Sequence, residues 1–149
     1  MKRNIIYIVL SLLFIYSCEK DEKKAVVAEN PIAPEFTSPT DGSDLILQLA
    51  DKDKVVMFTW DNAYYGFPTI VGYLIQMDTL TGTFKKPQTF GVTNNDTVNV
   101  KTSDLNSKFL SLKLNAGAPK TVRLRLRAVV GEVMDTLYSK EIKLNVTPY

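Results

Sequence analysis

The sequence predicts an all-β domain, an antiparallel sandwich of about seven strands with one short crossover helix. Three observations predict it. Short runs alternate apolar and polar residues, clusters of turn residues separate those runs, and a single stretch breaks the two-residue period for a helical one. Period-two alternation at this spacing marks half-buried antiparallel strands.

The elements follow in order along the chain. Leu45 to Leu49 is a first apolar run. Val55 to Trp60 is a second, with Val56, Phe58 and Trp60 on one face. In the run Val71 to Met77, Val71, Tyr73, Ile75 and Met77 share a face. Lys85-Lys86-Pro87 is expected in an edge strand, where Lys and Pro block pairing with other molecules. Asp96 to Val100 alternates, as do Val122 to Ala128 and Ile142 to Val146. Between Ser103 and Lys113, Leu105, Phe109 and Leu112 fall at helical spacing. Ser103 is the expected N-cap, and Gly117 and Pro119 the stop. This helix is expected to cross from one sheet to the other. Turns are expected at Pro39-Thr40-Asp41-Gly42, Thr81-Gly82, Asn94-Asn95 and Val130-Gly131. About seven strands over residues 35–149 fit an immunoglobulin-like sandwich, which takes roughly 100 residues.

The first residues read differently. Met1-Lys2-Arg3-Asn4 is a basic head, Ile5 to Tyr16 an apolar run, and Ser17-Cys18 a small residue followed by the one cysteine. These are the parts of a secretory signal, and the run is shorter than the roughly 20 apolar residues that span a bilayer. Residues 1–17 are expected to be a lipoprotein signal peptide, because a cysteine directly after the run resembles a lipobox. Cys18 is then the acylated N-terminus. Residues 18–34 are a tether, charged from Glu19 to Lys24 and stiffened by Pro31 and Pro34. An acid-containing run after the cysteine resembles the surface-export signal of some Gram-negative lipoproteins; the alternative is a periplasmic spacer. The folded domain is expected over residues 35–149.

Inventory excludes several functions. There is no histidine, and one cysteine cannot form an intramolecular disulfide. Zinc sites and Cys–His or Ser–His nucleophile pairs are therefore ruled out. Acid catalysis on sugars needs two facing carboxylates about 5–10 Å apart, and no strand pattern presents such a pair. Asp51, Asp53 and Asp61 fall near expected strand ends, where acids face water. No enzyme and no cofactor are expected. Without Lys2 and Arg3, 16 basic residues balance 16 acidic ones, which gives no reason to expect nucleic acid.

Two sets of residues are candidate sites. Trp60, Tyr64, Tyr65 and Phe67 surround the loop after the second run. Trp60 ends an inward row and belongs in the core. Tyr64, Tyr65 and Phe67 are candidate glycan contacts, since exposed aromatic faces stack on the C–H faces of a pyranose. Adjacent residues in an extended loop point opposite ways, so Tyr64 and Tyr65 are open between core and surface. Arg123, Arg125 and Arg127 form an outward stripe, expected to pair with acids on neighbouring strands such as Asp78. Asp78-Thr79-Leu80, Asp96-Thr97-Val98 and Asp135-Thr136-Leu137 resemble an O-glycosylation acceptor of surface-exporting bacteria, which makes Thr79, Thr97 and Thr136 candidate glycosylation sites. Asp and Thr are also common turn residues.

Thr59-Trp60-Asp61, Tyr65-Gly66-Phe67 and the aromatic strand around Tyr73, taken with Ser103-Asp104-Leu105-Asn106, Arg125-Leu126-Arg127-Ala128 and the ending Leu144 to Tyr149, resemble the N-terminal domain of SusE-type lipoproteins of the starch-utilisation system. The resemblance implies an immunoglobulin-like or fibronectin type III-like fold and an outer-membrane setting at the cell surface. It also implies a glycan transporter complex of the SusC/SusD kind as partner, and starch or another glycan as ligand. The family's sugar-binding sites lie in later modules, so no sugar-binding residue carries over. The alternative is a structural or docking spacer with no sugar binding of its own. Val122 stands where a fibronectin-type corner tyrosine is usual, which leaves the crossover helix to brace that corner.

Overall fold

The computed structural model describes residues 28–132 and 134–149. The expected signal peptide, Cys18 and the expected tether as far as residue 27 lie outside the described residues. Among the described residues the chain forms nine strands and one α-helix. The strands are β1 (Glu35–Ser38), β2 (Asp44–Ile46), β3 (Val55–Asp61), β4 (Gly72–Thr79), β5 (Gln88–Thr93) and β6 (Thr97–Lys101), then β7 (Lys120–Val129), β8 (Leu137–Tyr138) and β9 (Ile142–Thr147). The helix α1 (Thr102–Ser111) lies between β6 and β7.

Two sheets face each other. One runs β1-β3-β6, the other β2-β9-β7-β4-β5, with β8 also paired to β7. The chain starts in the smaller sheet and changes to the larger one between β1 and β2. All pairings are antiparallel except one: β2 lies parallel to β9, with Asp44 opposite Asn145 and Ile46 opposite Thr147. β8 and β9 occupy one lane beside β7, interrupted at Ser139–Glu141. Ser139 patches the gap, since its backbone N–H donates to Leu126 O and its hydroxyl accepts the Leu126 N–H at 2.8 Å.

Alternation decides which side chains fill the space between the sheets. Val122, Leu124, Leu126 and Ala128 of β7 are all buried, as are Tyr73, Ile75 and Met77 of β4. Phe58 and Trp60 of β3 close the core from the opposite sheet. Aromatic contacts join the layers. Trp60 lies 5.5 Å from Tyr73, and Phe58 lies 5.5 Å from Phe90 of β5, both ring to ring. Such pairs contribute about 0.5–1.5 kcal/mol beyond the area they bury.

The helix joins the two sheets, as expected, and brings Leu105 and Phe109 into the common core. Its start corrects the sequence reading. Lys101, not Ser103, is the N-cap, and no side chain caps it. The first amides donate instead to loop carbonyls far away in sequence, Thr102 N–H to Lys54 O and Ser103 N–H to Lys52 O. These bonds satisfy donors that a helix start leaves open. The helix also ends before Gly117, because Lys113 takes the left-handed conformation (φ 60°) that usually follows a last turn. Asn106 holds the chain end against the helix. Its side-chain amide donates to Tyr149 O and its carbonyl oxygen accepts the Tyr149 N–H, both at 2.9 Å.

Lys85-Lys86-Pro87 comes immediately before the edge strand β5 rather than inside it. The Phe84 just before it was not foreseen as a core residue. It is buried on the outer face of the larger sheet, in a left-handed conformation (φ 53°).

Replacing Phe109 by Ala is expected to lower unfolding free energy by about 3–5 kcal/mol. Leu110→Ala, at a half-exposed position on the same helix, is expected to change it by roughly 0.5 kcal/mol or less. Urea midpoints for the two variants test this difference.

Candidate functional site

The loop of residues 62–71 leaves β3 and enters β4 at the end of the sandwich where the described chain begins. Residues 28–34, expected as part of a free tether, dock on this loop. Ile32 and Tyr64 exchange both backbone hydrogen bonds (2.8 and 2.9 Å), and Ala28 N–H donates to Tyr65 O at 2.8 Å. Pro34 is fully buried.

The strand-like bridge sends Tyr64 and Tyr65 to opposite sides. Tyr64 is 48% exposed, whereas Tyr65 is 2% exposed. The Tyr65 hydroxyl donates to Ala128 O at 3.1 Å and to Asp135 O at 3.2 Å. It thus ties this loop to β7 and to the segment before β8. A ring so enclosed has no face free for a sugar, and Tyr65 is a structural residue. Phe67 is half-buried and packs against the core. Of the three candidate contacts, Tyr64 alone keeps an open face. Tyr73, beneath the loop, accepts the Ala63 N–H at 2.9 Å. Burial raises the pKa of both Tyr65 and Tyr73 above the ordinary 10.0; the Ala63 N–H that Tyr73 accepts offsets part of the rise there, and the backbone of Leu137 does so for Tyr65.

Gly66 has φ +99°, and a Cβ there would collide with the Ala28 backbone. Only glycine combines that conformation with so close an approach.

A groove of about 300 Å³ beside the loop is lined by Asn62, Ala63, Thr69, Ile70, Val71, Tyr73 and Asn94. A larger groove of about 550 Å³ lies between the free edges of β5 and β6, with Phe90, Val98 and Val100 below and Lys101, Asp104 and Lys108 at its rim.

The candidate glycosylation threonines are spread apart, not gathered. Thr79 ends β4, Thr97 opens β6 and donates its hydroxyl to Asp96 Oδ1 at 3.1 Å, and Thr136 precedes β8. All three are partly exposed.

The arginine stripe differs from expectation. Asp78 lies opposite Arg123 in register, but its carboxylate accepts the Thr79 and Phe84 N–H groups at 2.8 Å. Arg123 pairs instead with Glu141 at 2.8 Å and donates to Gly82 O. Arg125 donates to Gln76 Oε1 at 2.9 Å and is sandwiched between Phe84 (4.3 Å) and Tyr138 (4.1 Å). The stripe is thus largely engaged in covering Phe84.

A family model described as SusE outer membrane protein matches residues 20–127. The chain belongs to this family of outer membrane proteins. No curated protein matches it. Among solved structures, the periplasmic chaperone SfaE is similar over 77% of this chain and 57% of that chain, at 14% identity and a TM-score of 0.37. The chain thus spans just over half of that structure's length.

In this SusE-family domain, sequence reasoning missed the contribution of residues 28–34 and the exposure of Ile32 and Ile70 next to the loop. Pro31 and Pro34 read as linker residues, and nothing local shows that Ile32 finds a partner in Tyr64. Ile70 was detectable, since it precedes the inward Val71 and so must point outward.

Gly66→Ala is expected to release residues 28–34 from the loop, read as loss of hydrogen-exchange protection at the Ala28 and Ile32 amides. Tyr65→Phe is expected to lower stability by about 1–2 kcal/mol at neutral pH. The folded chain retains phenol protons that the unfolded chain releases near pH 10. Their contribution is complete below that pH and is lost as pH rises through the raised folded values. Alkaline denaturation is therefore expected to be less steep in Tyr65→Phe than in the parent chain.

Proposed function

We propose that this protein is a lipid-anchored, surface-exposed and non-catalytic accessory of a glycan capture and uptake system, with starch or a related glycan as cargo. The match to the SusE family over residues 20–127 carries this reading. Cleavage after Ser17 and acylation of Cys18 supply the anchor. Each buried acyl methylene contributes about 0.8 kcal/mol, so several chains hold the protein firmly. A SusC/SusD-like transporter complex is the partner, and Tyr64, with Phe67 behind it, is the glycan contact. Thr79, Thr97 and Thr136 carry O-glycans in this reading, each at the end of a strand or in a loop; an intact mass equal to peptide plus lipid alone would end that part of it.

One observation favours a second reading, a docking spacer that touches no sugar. Tyr65 is in the core and Phe67 lies against it, which leaves a single open aromatic face where sugar recognition ordinarily uses more contact area. Calorimetry with malto-oligosaccharides separates the two. Heat of binding that disappears in Tyr64→Ala is the outcome expected for the glycan-contact reading. No heat at millimolar ligand favours the spacer, and binding unchanged in Tyr64→Ala clears the loop.

A further inference from the structure

The two ends of the sandwich differ in charge. At the end that carries residues 28–35, the loops present Glu29, Glu35, Asp61, Asp96, Glu132 and Asp135. Among the described residues, the one ion pair formed by these carboxylates is Glu35 with Lys140 at 3.6 Å. The opposite end, around α1 and the loops beside it, is basic on balance: Lys52, Lys54, Lys101, Lys108, Lys113 and Lys120 outnumber Asp51, Asp53 and Asp104, and Lys54 pairs with Asp51 at 2.8 Å.

The acidic end also exposes apolar side chains from two separate segments, residues 28–34 and the loop 62–71. Ile70 is 77% exposed and Ile32 is 61% exposed, beside the half-open ring of Tyr64. Ile32 and Tyr64 are bridge partners, and Ile70 shares a groove with Asn62 and Ala63 of the same loop. Large side chains left open in this way mark contact surfaces when they lie within a polar rim.

Chain length bounds how far this surface sits from the membrane, on the lipid-anchor reading above. Ten residues separate Cys18 from Ala28, a reach of at most about 36 Å even when fully extended. The tether keeps the acidic end within about 36 Å of the membrane, in reach of proteins embedded there. β7, ten residues long, carries the basic end roughly 33 Å away.

We propose that this acid-rimmed apolar end docks on a membrane-embedded protein that presents a basic rim around an apolar centre. Charge selects that occupant. An anionic lipid surface repels five carboxylates that lack a cation partner among the described residues. A second copy would set the same acids against each other. A basic protein rim is attracted to them and leaves Ile32 and Ile70 to be buried at the centre of the contact.

The test uses the full chain in its native membrane, with a photo-cross-linking residue at Ile70 or, at the basic end, at exposed Leu49. The expected result is an adduct from position 70 and not from 49. Its cross-linked peptide maps to an integral membrane protein in a Lys- or Arg-rich segment. The adduct should fall by roughly tenfold in Asp61→Lys/Glu132→Lys, as reversing a rim charge should cause. Neither side chain has a hydrogen-bond partner among the described residues, and an unchanged thermal midpoint verifies that the variant is folded. A lipid adduct, equal adducts from both positions, no adduct, or insensitivity to the charge reversal each overturn the proposal. The mass of the same purified chain reads the anchor separately. A chain without acyl groups contradicts the lipoprotein reading, whereas an acylated chain without an end-specific adduct contradicts the docking surface alone.

Discussion

The strict alternation of β7 is the constraint on which the rest of the structure depends. With one cysteine in the chain, no intramolecular disulfide can stand in for a weak core. β7 lies in the interior of the larger sheet, with β4 on one side and the β8–β9 lane on the other. Its inward residues from Val122 to Ala128 supply the floor of the core. Its outward arginines organise the opposite face, where Arg125 covers Phe84 and Arg123 bonds the turn that follows β4. The backbone of the same strand receives the Tyr65 hydroxyl. A one-residue slip would exchange the two faces and bury three guanidinium groups, so the register is strongly fixed.

What was legible in the sequence was local. The inward sets of β3, β4, β7 and β9 follow from period two, and α1 from the spacing of Leu105 and Phe109. What was not legible depended on distant partners. Ser103 has the composition of a cap, but carbonyls of Lys52 and Lys54, about fifty residues earlier, satisfy the helix start. β2 contains only three residues and pairs parallel to a strand a hundred residues away. Asp78 was matched to an arginine by its position across the sheet, yet two nearer backbone N–H groups hold its carboxylate. In each case a short-range rule met a competing partner from elsewhere in the fold.

The candidate site was half legible for the same reason. The alternation rule placed Tyr64 and Tyr65 on opposite sides without saying which was inside. Tyr65 is inside because the inward direction offers two backbone carbonyls to its hydroxyl. The docking of residues 28–34 across Gly66 then closes that end of the core. The folded unit therefore begins earlier than the composition change at Pro34 indicates.

Native-state hydrogen exchange, residue by residue, tests the central role of β7 most directly. The account predicts that the amides of Leu124, Leu126 and Ala128 exchange only through complete unfolding, with a free energy equal to the global value from urea denaturation. It would be contradicted if those amides exchanged through a partial opening of much lower free energy while β3 or α1 remained protected.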